Sequence, residues 1–495
     1  MTTTNKWQFW IDRGGTFTDI VACDPQGDIK THKLLSENPQ HYQDAAIQGV
    51  RDLLSIEPQQ SIPVDSIQVV RMGTTVATNA LLEHAGEPLL LLVTKGFRDA
   101  LRIAYQQRPD LFALDIVLPE MLYEKVVEIE ERVKANGEVD RALNLSQAKQ
   151  ELQAAYAKGL RSVAIVFMHA YRYPDHENQL AQLAADIGFP QISTSHQTSP
   201  LIRYISRGDT TVVDAYLSPI LRRYVMQVEA ELPNIPLLFM QSSGGLTHAN
   251  HFQGKDAILS GPAGGVVGMI QTAKEAGFSR LIGFDMGGTS TDVCHYQGEF
   301  ERTMDTQIAG VRISAPMMRI HTVAAGGGSI LHYDNNRFRV GPDSAGANPG
   351  PVAYRAGGVL TITDCNVLLG KLQADFFPKL FGSNADLPLD NETVKTQFSQ
   401  LAKDAMCKRG RTGRDTRGQT KEQTSEQIAE GFLTIAVENM ANAIKKISVQ
   451  RGYDVTNHTL CCFGGAGGQH ACLVADALGI ESIFLHEYSG VLSAY

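Results

Sequence analysis

The sequence is short of several features that would decide its class at once. No run approaches the roughly 18 consecutive apolar residues of a membrane span. The longest, Leu89 to Val93 and Val163 to Met168, have the length of strands. The first residues, Met1 to Trp10, carry no positive cluster ahead of an apolar stretch, so no secretory signal is read there. Cysteine is sparse: seven residues, at 23, 294, 365, 407, 461, 462 and 472, an odd number without any CxxC. Neither a disulfide scaffold nor a zinc knuckle follows from that spacing, and a reduced, cytoplasmic setting is expected. Basic residues are outnumbered, 44 Lys and Arg against 53 Asp and Glu, for a formal charge of −9. That excludes a nucleic-acid protein that depends on a dominant basic surface, while a local pocket for a small anion stays open.

What is present is a chain of 495 residues, 43% of them hydrophobic, with room for about three domains or two large ones. Short apolar runs alternate with helical patterns: Leu89 to Thr94, Leu160 to Met168, Pro236 to Met240, Leu281 to Asp285 and Thr459 to Phe463. Buried strands in an α/β architecture are the expectation. One stretch, 408–426, lacks large apolar side chains, carries six Lys or Arg, and reads as a solvated, flexible insertion. After it, Thr424 and Gln427 can form a capping box. Ile428, Phe432, Ile435, Met440, Ile444 and Ile447 then recur near helical spacing, which predicts a helix packed into the core.

The most informative feature is internal. Residues 12–19 read DRGGTFTD and residues 285–292 read DMGGTSTD, matching at six positions. Each octapeptide follows a strand-like run and precedes another, so the local picture is twice strand, glycine turn, strand. Paired glycines leave no Cβ to block a phosphate. Turn amides at Gly14, Gly15, Gly287 and Gly288, with the hydroxyls of Thr16, Thr18, Thr289 and Ser290, can donate to phosphate oxygens. Asp12 and Asp285 would repel a bare phosphate and become useful if they hold Mg²⁺ against it. Asp19 and Asp292 fit an Asx-type turn as well as a ligand role. One such turn means little, since Gly-Gly turns are common. Two copies make a nucleotide phosphate clamp the stronger reading.

A third glycine loop, Phe463 to His470, reads FGGAGGQH and lies between a strand-like run and a helix-like stretch ending at Gly479. Gly464, Gly465, Gly467 and Gly468 can seat a ribose, an adenine or a phosphate there. The loop lacks the GxGxxG spacing and the chain lacks GxxxxGK[ST], so Rossmann and P-loop readings lose their support. The loops at 73–79 (GTTVATN), 241–245 (QSSGG) and 260–265 (SGPAGG) can hold a small polar substrate or simply turn the chain. Arg207 and Asp209 suggest a structural ion pair, His470 suggests capping or packing, and Cys461 and Cys462 suggest buried apolar residues. Tyr105 and Arg108 are weak candidates for substrate contact.

A duplicated phosphate hairpin followed by a Gly-Gly nucleoside loop resembles the actin, sugar-kinase and heat-shock ATPase superfamily. More narrowly, the chain resembles the hydantoinase A and ATP-dependent 5-oxoprolinase family nearly from end to end. The carriers are IDRGGTFTD (11–19), RMGTTVATNALLE (71–83), TKGFRDAL (94–101), RPDLFAL (108–114), HAYRYPDHE (169–177), QSSGGLT (241–247), SGPAGGVVG (260–268), GFDMGGTSTDV (283–293), AAGGGSI (324–330) and CFGGAGGQHA (462–471). Asp12-Arg13 and LLSENP (34–39) look like the 5-oxoprolinase branch.

The resemblance implies two ribonuclease-H-like lobes closing on ATP, with an N-terminal domain over 1–206 and an ATPase domain over 207–495. It implies hydrolysis of 5-oxo-L-proline to L-glutamate with release of ADP and phosphate. ATP and Mg²⁺ would be the cofactors, and the metal-side carboxylates would be Asp12 and Asp285. An ATP-dependent hydantoinase or ketone-carboxylase-type subunit, and an inactive nucleotide-binding remnant, are the alternatives. Family members continue beyond Tyr495, which suggests a piece that needs a hydantoinase B-like part, as a subunit or the same chain, in a homo- or hetero-oligomer. The closing GVLSAY is expected to be a truncated strand and turn.

Overall fold

The computed structural model describes residues 5–57, 60–106, 112–118, 120–308, 310–334, 337–382, 386–412 and 423–495. It is a mixed α/β protein whose chain divides into two compact units. The first comprises 1–60, 261–301 and 319–495; the second comprises 61–260 and 302–318. Both are discontinuous in sequence, so neither follows a single cut of the chain. No helix among the described residues is long and apolar enough to cross a membrane.

The first unit opens with an antiparallel meander, β1 (Trp7–Arg13), β2 (Phe17–Cys23) and β3 (Ile29–Leu35). Helix α1 (Ala45–Leu54) lies against it, N-capped by Asp44, whose carboxylate accepts from the Ile47 amide at 3.0 Å. Helix α2 (Ser260–Glu275) brings the chain back into this unit from its second residue onward. A five-stranded sheet follows, built from β4 (Arg280–Met286), β5 (Thr291–Gln297), β6 (Ile320–Val323), β7 (Thr459–Phe463) and β8 (Ser482–Phe484). Its order is β6-β5-β4-β7-β8: a second antiparallel meander extended by two strands parallel to β4.

Four more helices belong to this unit: α3 (Ile362–Leu368), α4 (Asn391–Thr412), α5 (Ser425–Ile447) and α6 (Ala471–Leu478). The predicted capping box forms at the start of α5, with the Thr424 hydroxyl accepting from the Gln427 amide and the Gln427 side chain accepting from the Thr424 amide. Ile428, Phe432, Met440, Ile444 and Ile447 are buried in one core with Ile282 and Phe284 of β4, and Ile435 packs on its margin. Gly479 ends α6 in the left-handed conformation at φ 70°, as expected of a C′ glycine.

Two expectations change. Helix α4 runs to Thr412, so the start of the 408–426 stretch is helical, while 413–422 lie outside the described residues. The closing GVLSAY is not a strand. Ser489–Val491 form a 3₁₀ turn, continued by bonds from the Ala494 and Tyr495 amides to the Val491 carbonyl. Val491 and Ala494 bury themselves against Val21, which fixes the turn where a strand would expose an edge.

The second unit centres on a parallel four-stranded sheet in the order 191–194, 162–166, 89–94, 125–129. Leu89 to Val93 are fully buried, as strands covered on both faces require. Strands 67–74 and 237–240 pair in parallel, and 302–308 and 311–318 form a separate hairpin. The expected Arg207–Asp209 ion pair does not form, because residues two apart on a helix do not face each other. Arg207 is wholly buried and donates to the carbonyls of Phe167 (2.6 Å) and Leu201 (2.7 Å) and to Ser195 Oγ (2.9 Å). Asp209 instead accepts from Arg312 at 2.6 Å.

Because Phe432 sits fully buried at the centre of the first unit's core, Phe432→Ala should cost about 3–5 kcal/mol. A denaturation midpoint close to that of the parent chain would show that α5 does not anchor that core.

Candidate functional site

The two octapeptides form the same hairpin twice within the first unit. In the first, Asp12 pairs with Asp19 across β1 and β2, and the Gly14 amide donates to the Phe17 carbonyl at 3.1 Å. In the second, Asp285 pairs with Asp292 across β4 and β5, and the Gly287 amide donates to the Ser290 carbonyl at 3.0 Å. Position for position, register and closing bond coincide. Among the described residues, the amides of Gly15, Thr16, Gly288 and Thr289 donate to no backbone carbonyl. The turns adjoin: a Cβ on Gly288 would stand 3.2 Å from the Thr16 hydroxyl oxygen. Thr289 is exposed and Thr16 is buried beneath the opposite turn.

Each hairpin is braced by a separate segment. Ser36, just after β3, donates to the Gly14 carbonyl at 2.7 Å and meets the Thr18 hydroxyl at 3.0 Å. Its amide also bonds to the Thr16 carbonyl at 2.9 Å. In the second hairpin, Thr291 occupies the place of Thr18 and its hydroxyl donates to the Ala325 carbonyl. The Gly327 and Gly328 amides then bond to the Gly287 and Gly288 carbonyls at 3.1 and 2.6 Å. Thr18, read from sequence as a phosphate donor, is fully buried with its hydroxyl engaged in this brace, so its part is to hold the turn.

Sequence reasoning left both braces without a role. Three consecutive glycines at 326–328 were the available signal, because Gly326 alone would put a Cβ 2.7 Å from three backbone atoms of Gly288, Thr289 and Ser290.

The strand-end carboxylates are gathered with little compensating charge. Burial first, then Asp19 and Asp292, pushes Asp12 up to about 7, against the opposing pull of Lys33. Burial, Asp292 and Asp12 hold Asp285 well above the ordinary carboxyl range. Burial raises Asp292 to about 6, against a hydrogen bond from Thr322. Asp19 is raised by burial but ion-paired to Lys33. Asp12 Oδ1 is buried and makes no hydrogen bond, while Asp285 Oδ2 accepts from Ser493 at 3.2 Å.

Glycines press close on both groups. A Cβ on Gly261 would lie 2.8 Å from Asp12 Oδ1, and one on Gly265 would lie 3.3 Å from Asp285 Oδ2. Gly464, at φ +81°, would put a Cβ 2.3 Å from Asp285 Oδ1, so the loop after β7 also abuts this carboxylate. Thus part of SGPAGG belongs to the site, a role its sequence left open.

These residues fit a hard divalent cation. A buried carboxylate oxygen without a hydrogen-bond donor, among carboxylates that bind protons too tightly, is a donor set short of positive charge. Among the described residues, no three His, Cys, Asp or Glu side chains converge as a complete metal site. Two carboxylates leave the remaining positions to water and phosphate, as Mg²⁺ prefers.

Other sequence candidates are occupied elsewhere. In the second unit, the Ser260 hydroxyl bonds to the Thr74 carbonyl (2.7 Å), Thr78 to the Leu259 amide (2.9 Å) and Ser242 to the Ile258 carbonyl (2.6 Å). These hydroxyls knit the loops at 73–79, 241–245 and 260 together. Tyr105 bonds to Ser206 at 2.9 Å, and Arg108 lies outside the described residues. Cys461 and Cys462 are buried in β7, and burial pushes the Cys462 thiol up to about 12.

Two outcomes are expected. Gly326→Ala should overpack the second hairpin and lower stability by about 1–3 kcal/mol; an unchanged midpoint would remove the brace. The folded chain binds protons at Asp12 and Asp292 more tightly than the unfolded chain does, so without divalent cations stability should fall as pH rises from 4 through 7. Asp12→Asn should flatten the upper part of that profile, and Mg²⁺ added at pH 8 should restore the parent chain but not the variant. Identical melting profiles with and without the ion would exclude a cation at Asp12.

Residues 207–495 match the profile of the hydantoinase/oxoprolinase family, and residues 8–188 match that of the hydantoinase/oxoprolinase N-terminal region. The chain is 45% identical to 5-oxoprolinase 1 of Arabidopsis thaliana over 99% of its own length and 41% of that protein. It therefore spans about two fifths of that relative. Among solved structures it is similar to the ATP-dependent caprolactamase of Pseudomonas jessenii, with TM-score 0.76 and 31% identity, over 98% of this chain and 70% of that one. Nucleotide-free acetone carboxylase shares the fold, with TM-score 0.79 and 22% identity over 98% of this chain and 69% of that one. On the strength of these matches, the chain belongs to the hydantoinase/oxoprolinase family.

Proposed function

We propose that this chain is the ATP-binding, lactam-phosphorylating portion of an ATP-dependent 5-oxo-L-proline hydrolase, which yields L-glutamate, ADP and phosphate. The observation that carries the reading is the pair of adjoining hairpins with identical Asp–Asp register and closing bond. Two antiparallel meanders, each carrying one such turn, support the ribonuclease-H-like, two-lobed ATPase arrangement. The two family profiles support a division into sequence domains at 1–206 and 207–495. Free thiols at six described cysteines suit a reducing, cytoplasmic setting.

Gly14, Gly15, Thr16, Gly287, Gly288 and Thr289 present amides and hydroxyls to the phosphates. Gly464, Gly465, Gly467 and Gly468 flank the nucleoside. Asp12 and Asp285 would hold Mg²⁺, which supplies charge neutralisation along the phosphate chain. The reaction needs positioning more than a side-chain nucleophile. The lactam oxygen forms a bond to the γ-phosphorus as the bond to ADP breaks. Water then adds to the activated carbon, the ring C–N bond opens as nitrogen takes a proton and leaves an acyl phosphate, and a second water hydrolyses that acyl phosphate to the carboxylate with release of phosphate. The remaining three fifths of the relatives' length supports a further part, a hydantoinase B-like region or subunit, for completing ring opening. The substrate reading follows the 5-oxoprolinase relatives. The 31% identity to the caprolactamase favours a larger lactam as the second reading.

The test is ADP release across 5-oxoproline, caprolactam and hydantoin, with and without the completing part. ADP release that depends on 5-oxoproline, with glutamate formed on addition of that part, is expected. Asp285→Asn should lower turnover about 100-fold or more. Turnover at the parent rate in that variant would sink the metal-side assignment, and nucleotide binding without turnover under any pairing would leave an inactive remnant.

A further inference from the structure

The two octapeptides share register and closing bond, but their leading aspartates are held differently. Asp12 Oδ1 makes no hydrogen bond. Asp285 Oδ2 accepts from the Ser493 hydroxyl at 3.2 Å. Across the hairpins, Asp19 is ion-paired to Lys33 and Asp292 accepts from Thr322. Ser493 belongs to GVLSAY, a segment outside every octapeptide and glycine loop. Asp285 and Ser493 both keep part of their surface open to solvent, so an ion has a way to this carboxylate.

The turn that carries Ser493 stands without its hydroxyl. The Val491 amide bonds to the Tyr488 carbonyl and the Ala494 amide to the Val491 carbonyl, both at 2.9 Å. Val491 and Ala494 flank Ser493 and are buried against Val21 of β2, the strand that carries Asp19. The Leu492 carbonyl lies so near α2 that a Cβ on Gly268 would stand 2.7 Å from its oxygen. The Ser489 carbonyl accepts from the Gly464 amide at 3.0 Å. Backbone fixed on the first meander, on α2 and on the loop after β7 thus delivers Ser493 Oγ to Asp285. Gly265 leaves the room: a Cβ there would stand 2.9 Å from Ser493 Oγ and 3.3 Å from Asp285 Oδ2.

A hydroxyl suits a carboxylate that is to hold a cation. Donation from a neutral O–H fixes the rotation of the carboxylate and favours its charged form. It brings no charge of its own. A lysine in that place would hold Asp285 as firmly and would also supply the positive charge that a cation brings. With Oδ2 engaged by Ser493, Oδ1 is turned toward Gly464, where a Cβ would lie 2.3 Å from it. Carboxylates that bind metals are themselves hydrogen-bonded, and losing such a donor costs about 10–100-fold in metal affinity or activity.

We propose that Ser493 is a positioning residue: its hydroxyl fixes the Asp285 carboxylate for the divalent cation of the phosphate site, and the turn at 489–495 is part of that site. This rests on the metal-side reading of Asp285 given above.

The test is Mn²⁺ binding to the nucleotide-free chain at about pH 8, where the carboxylates are charged, followed by electron paramagnetic resonance. The parent chain is compared with Ser493→Ala, Ser493→Thr and Asp285→Asn, and ATP affinity is measured for each in EDTA. Ser493→Ala should weaken Mn²⁺ binding about tenfold and Ser493→Thr, which keeps the hydroxyl, by about threefold at most. ATP affinity in EDTA should be the same in the parent chain and both Ser493 variants. If Ser493→Ala does not fold, comparing Ser493→Thr with its isostere Ser493→Val gives the same reading. Parent-like Mn²⁺ affinity in Ser493→Ala, with Asp285→Asn weakened, would overturn the proposal alone. So would a Ser493→Thr variant as weak as Ser493→Ala, or a loss of ATP affinity in EDTA that matches the loss of Mn²⁺, since either would mark a loosened turn. No Mn²⁺ binding by the parent chain, or parent-like binding in Asp285→Asn, would overturn the metal-side reading and the proposal with it.

Discussion

The first unit is organised around carboxylates held where water is scarce. Asp12 and Asp285 occupy corresponding strand ends, each opposed by a second aspartate across its hairpin. Like charges gathered in a buried place raise one another's affinity for protons, and burial raises it further. Among the described residues, Lys33 is the one lysine that answers this charge by an ion pair, and it is committed to Asp19. Such an arrangement leaves the cluster short of positive charge. The braces at Ser36 and Gly326–Gly328 and the bare glycine contacts of α2 and Gly464 are what hold it in place.

The second unit solves a different problem. A guanidinium with no solvent exposure is satisfied by backbone carbonyls and Ser195, and Glu177 nearby accepts from the Phe167 and His196 amides, the Ser195 hydroxyl and His196 Nδ1. Such networks join loops that the hydrophobic core does not reach. Through Arg207 of SRGD and Glu177 of HAYRYPDHE, two polar motifs serve here as internal scaffolding.

Local order was largely legible from the residues. The strand runs, the capping box at Thr424, the buried stripe of α5 and the Gly479 cap all follow from short-range patterns, and the octapeptide repeat revealed paired hairpins. What was not legible depends on contacts distant in sequence. Thr18 reads as a free hydroxyl until Ser36 folds back on it. Arg207 and Asp209 read as partners until helix geometry turns them apart. Gly261 and Gly265 read as turn glycines, yet they begin a helix whose packing on Asp12 and Asp285 no local pattern reveals. GVLSAY has β-like composition and is curled by its burial against Val21.

The two glycines of α2 also fix how that helix is turned about its own axis. They stand one turn apart and offer both aspartates a strip of bare backbone. Rolling the helix by one residue, about 100°, would put Pro262 and Val266 in their place. Neither ring nor branched side chain fits against a carboxylate at that separation. The helix is keyed like a shaft with a single flat, and its azimuth is set by the absence of atoms.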